Sequence, residues 1–134
     1  MSESSAELGA FQESPWTIVI NKRERLIFRS NMGGLQPLIQ AVSQYGAELD
    51  GATVYDKVIG RAAAFIIAAS SIRRVATPVA SIPAIEILRR AGKSIRCLEK
   101  VPRILDADRR DLERFEKLSL DAATPEQFLR LLQR

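Results

Sequence analysis

Val54-Tyr55-Asp56-Lys57-Val58-Ile59-Gly60-Arg61-Ala62-Ala63-Ala64-Phe65-Ile66-Ile67-Ala68-Ala69-Ser70 is the run whose reading decides the fold. After one charged turn it is apolar on nearly all sides, the pattern of a helix buried in the middle of a single domain. Its many alanines would let a sheet or another helix approach closely. Gly60 costs about 1 kcal/mol relative to alanine inside a helix, so a packing or ligand reason is expected for it. The charges gather at the start of the run, where a helix presents unpaired N–H groups and partial positive charge. Asp56 suits that place as a cap or first-turn anion. Lys57 and Arg61 suit it poorly, so either they reach solvent or they await an anion.

Working outward, residues 1–14 are small, polar and acidic and read as a mobile tail. Residues 16–20 and 25–28 are rich in β-branched and aromatic residues and flank a polar turn, which predicts an antiparallel hairpin. Gly33 and Gly34 precede Leu35, Leu38, Ile39, Val42 and Tyr45 at helical spacing. No lysine with Ser or Thr follows the glycines, so they read as a strand-to-helix turn rather than a phosphate loop. Beyond the central run, residues 72–77 predict a short strand that Pro78 ends, and Ser81 caps a helix carrying Pro83 in its first turn. Residues 95–101 predict an edge strand containing Cys97, read as a small packed hydrophobe. A charged helix follows around Leu112, Phe115 and Leu118. Thr124-Pro125-Glu126-Gln127 then opens a C-terminal helix.

Strands alternating with helices in the second half imply parallel pairing through right-handed crossovers, with the hairpin adding an antiparallel member. The expected fold is α/β, a three-layer α/β/α domain over residues 15–134 with a mixed sheet of about four strands. One rim of that sheet should collect the hairpin turn with Asn21 and Lys22, residues 56–61, residues 78–81 and the loop at 103–108. Ligands gather outside the carboxyl ends of parallel strands, where helix N-termini also point.

The bulk numbers exclude several chemistries. The chain has 134 residues, 46% hydrophobic and 27% charged, enough for one ordinary globular domain. With no histidine and one cysteine, it cannot assemble a zinc site of His and Cys ligands, a His-based triad or a Cys–His pair. No metal and no cofactor is expected. The lone cysteine fits a reducing compartment, and no run is long enough to span a membrane, so a cytoplasmic location is expected. The formal charge of +4 comes from dispersed arginines without an aromatic-studded strand motif, which disfavours nucleic acid as a partner.

The run of residues 55–64, with Gly34 and Pro37-Leu38 before it and Arg73-Arg74-Val75, Ser81 and Val101-Pro102 after it, resembles a family of short, uncharacterised prokaryotic proteins. That family has a Gly-x-x-Pro-Leu helix start, an Asp-Lys-Val-x-Gly-Lys-Ala-Ala helix and a Val-Pro-x-Ile segment; the resemblance covers about residues 16–116. Its members look like the cytidine-deaminase fold without the zinc motifs. The resemblance implies that residues 56–61 and 78–81 occupy the helix starts where zinc deaminases hold their metal. The family's closing Asn-Arg and Cys-x-Met-Glu segments correspond to Asp108-Arg109 and Glu113-Arg114-Phe115-Glu116, so the family cysteine is absent.

The functional expectation is a metal-independent binding or regulatory module for a small polar or anionic ligand, nucleoside- or nucleotide-like. Lys57 and Arg61 would meet its charge at the Gly60 turn, Asp56 would orient a donor group, and Ser81 would add a hydrogen bond. The alternatives are an enzyme using Asp56 as general base, its pKa set by Lys57 and burial, or a protein-interaction subunit whose C-terminal helix supports a homo-oligomer.

Overall fold

The computed structural model of the chain describes residues 2–105 and 113–133. Strands β1 (Ile18–Lys22) and β2 (Arg25–Ser30) form the expected antiparallel hairpin, closed by Arg23 and Glu24 at φ 51° and 64°. β1 also pairs antiparallel with β3 (Thr53–Asp56), with Ile18 opposite Asp56 and Asn21 opposite Thr53. β3 and the two-residue β4 (Val58–Ile59) lie end to end along one edge of β5 (Arg74–Ser81), both parallel to it. β6 (Ser94–Val101) is parallel to β5 on its other edge. The result is a mixed sheet of six strands rather than about four.

The central run is not one helix. Val54 and Tyr55 are β-branched and aromatic, and their burial alternates: Val54 joins the main core while Tyr55 joins a separate cluster on the other face. Only residues 61–68 take up the helical repeat, as α3 (Arg61–Ala68). An apolar run cannot by itself choose between a buried strand and a buried helix. Here it contains both, split by the Asp56–Gly60 segment.

Pro78 does not end its strand. β5 runs on to Ser81, and its pairing with β3 stops at Ala76 and resumes with β4 at Val79. Val54 and Ile59 both enter the main core although they lie five positions apart, an odd offset that would put them on opposite faces of a regular strand, and so do Val75 and Ala80. Strict alternation therefore slips once in each lane, at Asp56–Val58 and at Thr77–Val79. Proline lacks the N–H needed to continue the ladder there. The buried Thr77 hydroxyl bridges the gap, donating to the Val79 carbonyl at 2.9 Å and accepting from the Val79 N–H at 3.3 Å.

Helices α2 (Gln36–Tyr45), α3, α4 (Ile82–Arg90) and α6 (Pro125–Leu132) contribute to the main core. Ala62, Ala63 and Ala64 are buried, and the Phe65 ring stacks on Phe128 of α6 with centroids 5.6 Å apart. The C-terminal helix is thus part of the core rather than surplus surface. Its cap forms as the sequence predicts: Thr124 Oγ1 accepts from the Gln127 N–H at 3.2 Å.

Residues 1–14, read as a tail, instead supply helix α1 (Ser2–Glu13). Leu8 and Phe11 are buried against Tyr55 and Ala76, with Trp16 and Val19 alongside, so a single helix packs on the sheet face opposite the main core. Two large apolar side chains that find a partner surface suffice to place a helix whose composition is otherwise polar. No helix among the described residues is long and apolar enough to cross a membrane.

Candidate functional site

The break between β3 and β4 opens a pocket of about 230 Å³ on the main-core face. Asp56 sits at the break. Around it stand Thr17 and Ile18 of the neighbouring lane, the Gly33–Gly34 turn with Leu35, Pro37 and Leu38, and Gly60, Ala62 and Ala63 of the α3 start. Ile104, Glu113 and Glu116 close the other side. Gly34 adopts φ 80°, a conformation open to glycine that lets the chain turn from β2 into α2.

The α3 N-terminus is already occupied by the protein itself. α3 has Gly60 at its N-cap and no cap from that residue. The two oxygens of Glu116, on α5 (Arg114–Ser119), accept from the Arg61 N–H at 2.7 Å and the Ala62 N–H at 2.6 Å. This carboxylate reaches across from a different helix to satisfy two of the orphan donors, in the place where an external anion was expected. Burial pushes its pKa up, the Ala62 and Arg61 N–H groups pull it down, Glu113 pushes it up again and the Arg61 charge lowers it. Glu113 in turn caps α5, accepting from Phe115 N–H at 2.8 Å and Glu116 N–H at 3.2 Å.

Gly60 now has its packing reason. A Cβ at this position would run into the Glu116 carboxyl oxygen and lie 2.8 Å from Ile104 Cγ1. Only glycine lets the carboxylate come so close to the helix end.

Both expected cations are committed elsewhere. Lys57 Nζ donates to the carbonyls of Gln12 at 2.9 Å and Ser14 at 2.7 Å, at the end of α1, and lies 4.9 Å from the centre of the Phe11 ring. A cation there complements the negative end of the α1 dipole. Arg61 turns away from the pocket to the link between α5 and α6. Its Nη2 donates to Ala122 O at 2.9 Å and its Nε to Ser119 O at 3.3 Å, while the guanidinium lies 5.0 Å from the Phe65 ring centre. Ser81 is the α4 N-cap, accepting from the Ala84 N–H at 3.2 Å, and does not line the pocket. Of the five residues predicted for the site, the pocket gathers Asp56, Lys57 and Gly60, and Arg61 and Ser81 serve the fold.

Asp56 is the one left with chemistry to spare. Desolvation raises its pKa from the ordinary carboxylate range to about 7, with the backbone N–H groups of Val58 and Lys57 pulling the other way. The Lys57 ammonium, expected to set this value, points instead to α1. The hairpin turn is also misplaced in the sequence reading. Because β1 runs antiparallel to β3, residues 23–24 lie near the start of β3, and Lys22 Nζ donates to Glu48 O at 3.3 Å at the far end of the sheet from Asp56. Glu113, Glu116 and Thr17 were not predicted for the site. The first two stood in the closing segment of the family resemblance, which was the signal available. Asp108 and Arg109 lie outside the described residues.

The comparisons fit this architecture. No curated protein matches the chain. The crystal structure of the DUF1893 family protein TM1506 from Thermotoga maritima is 28% identical to it, with a TM-score of 0.84, covering 96% of this chain and 86% of that one. The family model described as TM1506, a domain of unknown function (DUF1893), matches residues 8–134. Over nearly its whole length, from the helix that covers one face of the sheet to the helix that completes the core on the other, the chain belongs to the DUF1893 family.

Proposed function

We propose that this protein is a binding or regulatory module for a small polar ligand of nucleoside type, held in the Asp56 pocket. The observation that carries the reading is one carboxyl group, with a pKa of about 7, set in a wall otherwise formed mainly by Ile18, Leu35, Pro37, Leu38, Ala62 and Ala63. Small-molecule sites are typically apolar clefts with few polar groups fixing orientation. Near neutral pH such a carboxyl is shared between its donor and acceptor forms. It can therefore face a ring nitrogen and an exocyclic amine side by side, the edge a nucleobase presents.

The geometry argues against an anionic group as the part that enters the pocket. Asp56, Glu113 and Glu116 supply three acidic side chains, and Lys57 spends its ammonium on α1 carbonyls. A neutral or donor-bearing head is the better fit. A deaminase-like reading of the sheet draws support from two helices, α3 and α4, that start at the ends of the adjacent lanes β4 and β5. The same carboxyl would also serve a metal-independent enzyme as general base, since a pKa near the working pH suits proton transfer.

A thermal-shift series with free nucleobases and nucleosides tests the binding reading. A ligand at a hundred times its dissociation constant should stabilise the fold by about 2.7 kcal/mol. Asp56→Leu, which removes both the donor and the acceptor, should weaken that response, and if no compound shifts the midpoint, or the variant responds equally, the reading fails. Conversion of a bound nucleoside that Asp56→Asn abolishes would move the assignment from module to enzyme.

A further inference from the structure

A second cavity lies on the opposite face of the same strands, between α1 and the sheet, with a volume of about 840 Å³. Strand register explains its make-up. Asn21, Thr53, Arg74 and Ser94 stand opposite one another across β1, β3, β5 and β6, and Val19, Tyr55, Ala76 and Arg96 form the next row. Both rows project towards the α1 face, because Val19, Tyr55 and Ala76 pack with Leu8 and Phe11. α1 covers the apolar row, and the polar row stays open. Arg74 and Arg96 are diagonal neighbours on adjacent strands, and Arg23 of the hairpin turn lines the same groove.

The charge balance favours an anion. Three arginines face two glutamates in the lining; Glu7 is already engaged, accepting a hydrogen bond from the Tyr55 hydroxyl at 2.5 Å, and Arg96 also has a partner within the fold. The Arg74 guanidinium makes no hydrogen bond or ion pair with any other described residue, and it is exposed. At the inner end of the groove Phe11 is buried and the half-buried Trp16 lines the wall, its ring carrying the Arg29 guanidinium 4.2 Å from its centre.

We propose that this groove binds a small organic anion, a phosphate or carboxylate attached to a flat ring, with Arg74 holding the anion and the ring resting beside Trp16. A planar guanidinium pairs with either oxyanion in a two-point contact. The site is separate from the Asp56 pocket: Tyr55 and Asp56 are neighbours in β3 but face opposite sides of the sheet. Dispersed in sequence, these arginines gave no sign of a patch. Folding gathers them.

Trp16 is the chain's one tryptophan and lines this groove, so its emission reports on binding there. The experiment titrates the full chain with phenyl phosphate, benzoate and inorganic phosphate, following Trp16 emission together with calorimetry. Phenyl phosphate or benzoate should bind saturably and more tightly than inorganic phosphate, and the tighter of the two identifies the head group. Arg74→Gln, at an exposed position, should weaken binding by about tenfold or more, the value of a lost charge-assisted hydrogen bond. Asp56→Asn should leave it unchanged. Absence of saturable binding, equal binding by Arg74→Gln, or loss of binding in Asp56→Asn would each overturn the assignment.

Discussion

The Glu116 carboxylate occupies the space that a side chain on Gly60 would need, and from there it holds the first two N–H groups of α3. Each residue requires the other. Replacing Glu116 with alanine leaves two donors without partners at a buried helix end, at a cost of about 2–4 kcal/mol. Gly60→Ala in the native background forces the carboxylate away and should cost a similar amount. On the Glu116→Ala background the same glycine change should cost less, with a coupling of at least about 0.5 kcal/mol by urea denaturation. Strict additivity would show that the two residues do not depend on each other.

Asp56 should make the protein less stable as pH rises. Its folded pKa of about 7 lies above the ordinary carboxylate value of 3.8, so the folded state holds the proton more tightly than the unfolded chain. Below about pH 4 both states are protonated and no penalty applies. Between about pH 4 and 7 the unfolded chain ionises first and stability falls, on the order of 2 kcal/mol after discounting for solvent screening at a partly exposed group. Asp56→Asn should flatten this part of the profile and raise the melting midpoint at pH 8. A profile that is the same with and without Asp56 would refute the assignment.

Lys57 should act on α1 rather than on a ligand. Lys57→Met keeps the stem beside Phe11 and removes both bonds to the Gln12 and Ser14 carbonyls. Two charge-assisted contacts at a partly exposed site are worth about 1–3 kcal/mol of local stability. Hydrogen exchange should therefore speed up about tenfold or more over α1, while α3 and α4 keep their protection. Uniform acceleration across the whole chain would mean that α1 does not open as a separate unit.

Much of the architecture was legible because local rules were strong. The hairpin, the Gly33–Gly34 turn, the Ser81 and Thr124 caps and the β6 edge follow from residue types within a few positions of each other. The central run was misread because its apolar pattern fits a buried strand as well as a buried helix. In sequence Pro78 reads as a stop because proline breaks a ladder. In the fold, the lane beside it breaks at the same height, so the missing donor is tolerated. The tail became a helix because Leu8 and Phe11 meet Tyr55 and Ala76, partners about fifty and seventy residues away that no local window contains.

By itself the sequence determined that the chemistry has no histidine and one cysteine, that parallel strands follow the hairpin, and that residues 56–61 are unusual. Only the tertiary structure decided what those residues do. Glu116, fifty-six positions beyond Gly60, fills the helix end. Carbonyls of α1 take Lys57, carbonyls of the α5–α6 link take Arg61, and Asp56 remains facing a pocket. The physical reason is that a charged side chain reveals its partner only through distance in space. A helix N-terminus attracts an anion wherever one comes from, and this chain supplies its own.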